Sequence, residues 1–148
     1  MSERTILQFR AGPSVYGLAV TNIVEIVRVV AMSPVPDPSF DLLGVVNLRG
    51  RVVPVFDLCR SLRLADRPVS LRMYIVIVEV DGETLGVLVD DVLDVATVPA
   101  DQFQDSKALT FGNGFTAGVA RIGGEMVTVL TLKPLLDRTP VGSVGLES

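Results

Sequence analysis

The sequence contains no histidine, no tryptophan and a single cysteine, Cys59, among its 148 residues. Without histidine, the chain lacks the most common general base and metal ligand at neutral pH. A single cysteine excludes a disulfide within the chain. The apolar stretch around it, Phe56–Leu62, favours a buried core residue over a nucleophile, which needs a base and an electropositive setting. We therefore expect no catalytic residues, no metal site and no cofactor.

Long apolar runs and basic clusters are also missing. The longest uncharged run, Ala11–Val24, contains glycine and proline and is shorter than the about 20 apolar residues that a transmembrane helix needs. The opening segment MSERTILQF has no signal-peptide layout. A net charge of −4 argues against a nucleic-acid surface, which needs a positive footprint. These features predict a cytoplasmic protein that neither inserts into a membrane nor binds nucleic acid.

Two blocks of the sequence repeat in the same order. Residues 16–27 (YGLAVTNIVEIV) align with residues 85–96 (LGVLVDDVLDVA), and residues 44–62 align with residues 118–136, at offsets of 69 and 74 residues. Two matches in the same order with near-equal offsets indicate an internal duplication with a unit of about 70 residues.

Each copy is rich in β-branched residues that glycine and proline divide into short runs, a pattern typical of strands in small barrels or sandwiches. Short helices are predicted only after the second strand of each aligned hairpin, at Asp57–Leu62 and Leu132–Leu136, and as single turns at Asn22-x-x-Glu25 and Asp91-x-x-Asp94. The predicted strands are Thr5–Phe9, Val15–Val20, Gly44–Leu48, Arg51–Phe56, Met73–Val80, Glu83–Val89, Phe115–Ile122 and Glu125–Leu130. We therefore predict an all-β fold of two small barrels over residues 1–137, with a flexible tail at 138–148.

Two patterns that could carry chemistry have simpler explanations. Residues 112–117 fit G-x-G-x-x-A, but the strand-like AGVARI follows them where a dinucleotide site needs a helix. Asp90, Asp91 and Asp94 form the densest carboxylate cluster, yet calcium needs six or more oxygen ligands in a dedicated loop. A glycine-rich surface loop and solvated turn residues are the favoured interpretations.

Three segments resemble the CheW family of bacterial chemotaxis adaptors: FRAGPSVYGLAVTNIVEIV, LLGVVNLRGRVVPVFDL and GETLGVLVDDVLDV. The resemblance extends from about Ile6 to Leu136. It implies two intertwined five-stranded β-barrels of the Src-homology sort and no enzymatic activity. It further implies that the protein couples the cytoplasmic tip of methyl-accepting chemoreceptors to the regulatory domain of a CheA-type histidine kinase, at membrane-bound receptor arrays.

The resemblance also implies two contact surfaces. The residues expected at the receptor are Ile23, Glu25, Gly44, Asn47 and Arg49. The residues expected at the kinase are Met73, Tyr74, Leu85 and Gly86.

Arg49 is an unusual residue for its position. Two-residue hairpin turns need positive φ and prefer Asn-Gly, Asp-Gly or Gly-Gly, yet Arg49-Gly50 lies between two predicted strands. The second copy has Gly123 at the equivalent position. A local rule broken in one copy and kept in the other favours a contact residue over a solvated arginine.

Two other classes of function stay open at this point. A small β-barrel that binds single-stranded nucleic acid would need stacking aromatics on a basic groove, and the chain has two tyrosines, six phenylalanines and an acidic pI. An enzyme with a carboxylate site at Asp90–Asp94 would have to work without histidine. Within the adaptor class, the sequence does not choose between swimming, surface motility and gene regulation.

Overall fold

The computed structural model describes residues 3–29, 32–33, 41–105 and 114–138. Most of them form strands, as the β-branched sequence predicts. The strands are β1 (Arg4–Ala11), β2 (Ser14–Ala19), β3 (Ile23–Arg28), β4 (Leu42–Leu48), β5 (Arg51–Asp57), β6 (Tyr74–Val80), β7 (Glu83–Val89), β8 (Asp91–Val98), β9 (Phe103–Asp105), β10 (Thr116–Ile122) and β11 (Glu125–Leu130). The helical elements are α1 (Leu58–Ser61) and 3₁₀ turns at Val20–Asn22, Ala100–Gln102 and Lys133–Arg138.

The strands form two sheets. One has six strands in the order β8-β1-β2-β11-β10-β9, and the other has five in the order β3-β6-β7-β5-β4. Each sheet has one parallel junction, β2 with β11 and β5 with β7, and is otherwise antiparallel. The predicted all-β class is confirmed. The expectation of two closed five-stranded barrels is corrected, because among the described strands no pairing joins the two end strands of either sheet.

The two copies of the repeat exchange hairpins. The six-stranded sheet combines β1 and β2 of the first copy with β8 to β11 of the second, and the five-stranded sheet combines β3 to β5 of the first with β6 and β7 of the second. This exchange makes the two halves intertwined, as the resemblance implies. The sheets are built from equivalent strands, since β6 and β7 occupy in one sheet the places that β1 and β2 occupy in the other.

Strand register supports the repeat at the level of single residues. Val55 lies opposite Gly86 at one parallel junction, and Val129 lies opposite Gly17 at the other. These are the positions that the two sequence offsets align. A Cβ at Gly17 would lie 2.5 Å from Ile6 Cγ2, and one at Gly86 would lie 2.8 Å from a Cγ2 in the equivalent strand. Both glycines therefore permit a close approach between neighbouring strands.

The helix predictions are partly right. Asp57 caps α1, because its Oδ1 accepts a hydrogen bond of 3.1 Å from the backbone N–H of Cys59, and a 3₁₀ turn follows the second hairpin. The turn predicted at Asn22-x-x-Glu25 is displaced, because the 3₁₀ turn is Val20–Asn22 and Glu25 lies on β3. The turn predicted at Asp91-x-x-Asp94 is wrong, because β8 occupies this segment and pairs with β1. There, strand pairing overrides a weak helix-start signal.

The largest apolar cluster lies between the sheets. Phe9, Phe56 and Phe115 belong to it with no more than 1% exposure, and each of two smaller clusters is built mainly from the strands of one sheet. Cys59 belongs to the central cluster, as predicted. Burial raises the pKa of its thiol to about 11. The cysteine is therefore a core residue.

Candidate functional site

A salt bridge connects the two ends of the five-stranded sheet. Glu25 lies on β3, the first strand in the sheet order, and Arg49 lies in the turn between β4 and β5 at the other end. Arg49 Nη1 donates a hydrogen bond to Glu25 Oε1. This bond, together with the negative charge of Glu25, raises the pKa of Arg49. The pair therefore joins two end strands that have no backbone pairing with each other in the described structure.

The turn that carries Arg49 has the geometry predicted from the sequence. Arg49 and Gly50 both have positive φ, at 55° and 83°, which is the pattern of a type I′ turn. Asn47 Oδ1 accepts a hydrogen bond of 2.9 Å from the Gly50 N–H and fixes the turn. In the second copy, Gly123 and Gly124 have φ values of 59° and 82°. Arg49 thus adopts a left-handed conformation that its counterpart reaches without a side chain.

The second copy has no equivalent salt bridge. Asp94 corresponds to Glu25 and is exposed, while Gly123 corresponds to Arg49 and has no side chain. The two sheets therefore share a backbone plan but differ at this edge. The difference singles out the surface formed by Glu25, Asn47 and Arg49, which we call the seam surface.

Gly44 and Ile23, the other two residues predicted at the receptor, lie beneath the seam surface. Gly44 is buried, and a Cβ there would lie 2.5 Å from the carbonyl oxygen of Ser33. Ser33 and Val45 exchange two backbone hydrogen bonds of 2.9 Å, which hold this segment on β4. Ile23 is half-buried against the central core. The structure thus brings three predicted residues together at the surface and places two beneath it.

Sequence reasoning missed an apolar stripe on the opposite side of β3. Val24 and Ile26 alternate with Glu25 and have exposed fractions of 55% and 38%. Their counterparts on β8, Leu93 and Val95, are also exposed. The alternation of Val, Glu and Ile was the available signal, but it could not show which side of the strand faces solvent.

The residues predicted at the kinase lie mainly in the core. Met73 and Leu85 are buried, and Gly86 lies against the side chains of β6. Tyr74 is half-buried, and the guanidinium of Arg28 stacks over its ring at 4.5 Å from the centroid. Tyr74 and Arg28 therefore form the accessible part of this region, and the other three positions support it. A direct partner contact at Leu85 or Gly86 stays a prediction.

A partly buried ionic cluster was not foreseen. Arg67, in the segment between α1 and β6, donates to both carboxylate oxygens of Asp57 at 2.8 and 2.7 Å, and its Nη2 donates to Asp90 Oδ1 at 2.9 Å. Burial alone would raise the pKa of Asp90, but the hydrogen bonds from Arg67 and from the backbone of Gly12 lower it overall. The interpretation of Asp90 as a solvated turn residue is thus corrected to an ion-pair partner. Asp91 and Asp94 are exposed.

Within the described ranges, no group of three or more histidine, cysteine, aspartate or glutamate side chains is placed to hold a metal ion. In the same part of the chain, no helix has the length and apolar character to cross a membrane.

Comparison with known proteins identifies the family. The profile of the CheW-like domain matches residues 5–139. The chain belongs to the CheW-like domain family. Chemotaxis protein CheW of Rhizobium meliloti (strain 1021) is 30% identical over 131 residues, which cover 87% of this chain and 84% of that protein. Chemotaxis protein CheW of Thermotoga maritima is 26% identical over 141 residues, 95% of this chain and 93% of that protein.

A solved structure supports the same assignment. The crystal structure of the scaffolding protein TtCheW from Thermoanaerobacter tengcongensis matches with a TM-score of 0.81 and 28% sequence identity, covering 88% of this chain and 90% of that chain. The resemblance to CheW proteins noted in the sequence is therefore confirmed. The two sheets with exchanged hairpins are the CheW fold.

Proposed function

We propose that this CheW-like protein is a non-enzymatic adaptor in bacterial chemotaxis or a chemotaxis-like pathway. It couples the cytoplasmic tip of transmembrane chemoreceptors to the regulatory domain of a CheA-type histidine kinase. Its place in the cell is the cytoplasmic face of membrane-bound receptor arrays. The support is membership in a family whose relatives are named chemotaxis and scaffolding proteins, together with the seam surface.

The observation that carries the receptor proposal is the geometry of Arg49. A non-glycine residue in the left-handed region is less stable than glycine, and such strain is concentrated at functional positions. The Arg49 side chain is 74% exposed, and its Nη1 bonds Glu25. A guanidinium has five N–H donors, so Arg49 can hold Glu25 and still donate to a partner. We infer that it donates to carbonyl or carboxylate oxygens of a receptor helix.

The test compares three variants of the same region. Arg49→Glu should lower the affinity for the receptor by about tenfold or more, because it removes the donors and sets two carboxylates side by side. Arg49→Gly should also lower the affinity but should melt no lower than the wild type, since glycine is the residue that the second copy uses. Arg121→Glu, on the exposed side of β10, is the matched charge reversal and should change neither property.

Two measurements decide the outcome: a thermal melting curve, and co-sedimentation with receptor-bearing membranes in the presence of the kinase. Normal melting with normal co-sedimentation of Arg49→Glu would make Arg49 a solvated turn residue. A large fall in melting temperature for Arg49→Gly would make the salt bridge a structural element instead.

A further inference from the structure

The parallel junction of the six-stranded sheet opens into a crevice. β2 and β11 pair only at Tyr16 with Thr128 and at Gly17 with Val129, and the strands diverge toward their hairpins. The cavity between them has a volume of about 560 Å³. It is lined by apolar Val15, Ile122, Met126 and Val127 and by polar Gln8, Ser14, Tyr16, Glu125 and Thr128. The volume of this cavity lies within the range of clefts that bind ligands.

The equivalent junction in the five-stranded sheet is closed by the chain itself. Arg51 Nη2 donates a hydrogen bond of 3.0 Å to Thr84 Oγ1 across the gap between β5 and β7. Ile77 packs against Gly86 at the same junction, with its Cδ1 3.1 Å from the place of a Cβ on that glycine, and is 0% exposed. The repeat shows which residues replace them. Glu125 corresponds to Arg51, and Val15 corresponds to Thr84.

The two sheets also differ in the residue that lies opposite the glycine of the parallel junction. Gln8 lies opposite Gly17 as Ile77 lies opposite Gly86, so a half-buried amide stands where the other sheet has a buried aliphatic side chain. The six-stranded sheet therefore lacks both the guanidinium that bridges the gap and the apolar group that fills it. In place of the guanidinium it carries a carboxylate.

We propose that this crevice binds a basic side chain, arginine or lysine, presented by a partner protein. The five-stranded sheet shows that a guanidinium on an aliphatic stem closes such a junction, and the substitution of Glu125 for Arg51 reverses the charge of the site. Among the described residues that line the cavity, Glu125 is the one that carries a charge. It forms no ion pair with another described residue. Arg10, the cross-strand neighbour of Val15, lies opposite Asp91 on its other side.

The lining suits both parts of such a side chain. The aliphatic stem of an arginine or lysine lies against Val15, Ile122 and Val127, as long basic side chains do on apolar surfaces. The charged head reaches the Glu125 carboxylate, and the hydroxyls of Ser14, Tyr16 and Thr128 offer further acceptors. This site lies on the six-stranded sheet and is separate from the seam surface, so it can fail without affecting the proposed adaptor function.

The experiment is an NMR titration of the ¹⁵N-labelled full chain with three capped amino acids: N-acetyl-arginine amide, its neutral isostere N-acetyl-citrulline amide, and N-acetyl-norleucine amide. We expect saturable shifts of the Val15 and Thr128 amides with the arginine compound, at a Kd of about 1–10 mM for a single side chain. The citrulline and norleucine compounds should bind at least about tenfold more weakly. Equal binding of norleucine, or no saturable shift with arginine, would overturn the proposal.

Three variants test the origin of the binding. Glu125→Gln should weaken arginine binding at least about tenfold. The matched control is Glu83→Gln, which replaces an exposed glutamate on the five-stranded sheet and should leave arginine binding unchanged. The double variant Val15→Thr with Glu125→Arg rebuilds the closed junction and should abolish binding. Melting curves check that each variant folds. If Glu125→Gln folds and binds arginine as well as the wild type, the site does not recognise positive charge and the proposal is wrong.

Discussion

Arg67 donates two hydrogen bonds, of 2.8 and 2.7 Å, to a carboxylate of Asp57 that is 0% exposed. Asp57 ends β5 and caps α1, whereas Arg67 lies in the segment that leads to β6. A single guanidinium thus fixes the path of the chain between two neighbouring elements of the fold. It also joins them to Asp90, the residue between β7 and β8.

Removal of this guanidinium should destabilise the protein. Arg67→Ala leaves the buried Asp57 with the longer ion pair to Arg60, at 3.7 Å, in place of the two short hydrogen bonds. We expect the free energy of unfolding to fall by about 3 kcal/mol, at the lower end of the range for a broken buried pair. We expect a value at the lower end of this range because the Arg67 side chain is 16% exposed, so that solvent weakens the ion pair. Urea denaturation measures the change. Arg72→Ala, at an exposed position nearby, is the control and should stay within about 0.5 kcal/mol of the wild type.

The same cluster predicts an acid-sensitive stability. The pKa of Asp90 is lower in the folded chain than its ordinary value of 3.8, so the unfolded chain binds its proton first as the pH falls. The stability from this group is therefore complete above about pH 5 and is lost as the pH falls through the folded pKa. Urea midpoints between pH 6 and pH 3 should fall less steeply for Asp90→Asn than for the wild type. Equal slopes would assign the acid sensitivity to other carboxylates.

Tyr74 provides a test of the kinase surface. Tyr74→Asp removes the ring over which the Arg28 guanidinium stacks. It should weaken binding to the regulatory domain of the cognate kinase about tenfold or more, since the loss of an aromatic anchor from an interface commonly lowers affinity by at least this much. Titration calorimetry with folded protein measures it. Arg49→Glu serves as the reciprocal control, because it should leave kinase binding intact while Tyr74→Asp leaves receptor binding intact. Wild-type affinity of Tyr74→Asp would show that the kinase binds elsewhere.

Cys59 should be inert in the native protein. Its thiol is 0% exposed, and burial raises its pKa to about 11, so few molecules carry the reactive thiolate at pH 8. We expect almost no reaction with a chromogenic disulfide reagent under native conditions and one equivalent of reaction in urea. Rapid native labelling would show that the centre between the sheets opens on the time scale of the reaction.

The internal repeat made much of the fold predictable. The offsets align Gly17 with Gly86, and both lie at the parallel junctions of equivalent sheets. The left-handed turn at Arg49 was also predictable, because two-residue hairpin turns restrict φ and the second copy has Gly123 there. These features depend on residues close together in the sequence, such as the two residues of a hairpin turn, and can therefore be predicted from the sequence.

Features decided by distant partners could not be predicted in the same way. Asp90 meets Arg67 across 23 residues of sequence, and no local pattern shows that pairing. Leu85 and Gly86 were expected at a partner surface from the family resemblance, but β7 lies in the middle of its sheet and buries them. The segment Asp91-x-x-Asp94 has a weak helix signal that loses to pairing with β1. Position within the sheet, rather than residue type, decides these outcomes.

The exchanged hairpins have a consequence for how the protein is made. β2 is translated before β3 to β10, and its parallel partner β11 is translated only after them. The six-stranded sheet therefore cannot close until β11 has been made, and until then the hairpin of β1 and β2 lacks its parallel partner. A duplicated gene of this kind links its two halves into a single folding event, in which neither half reaches its final shape before the other has been translated.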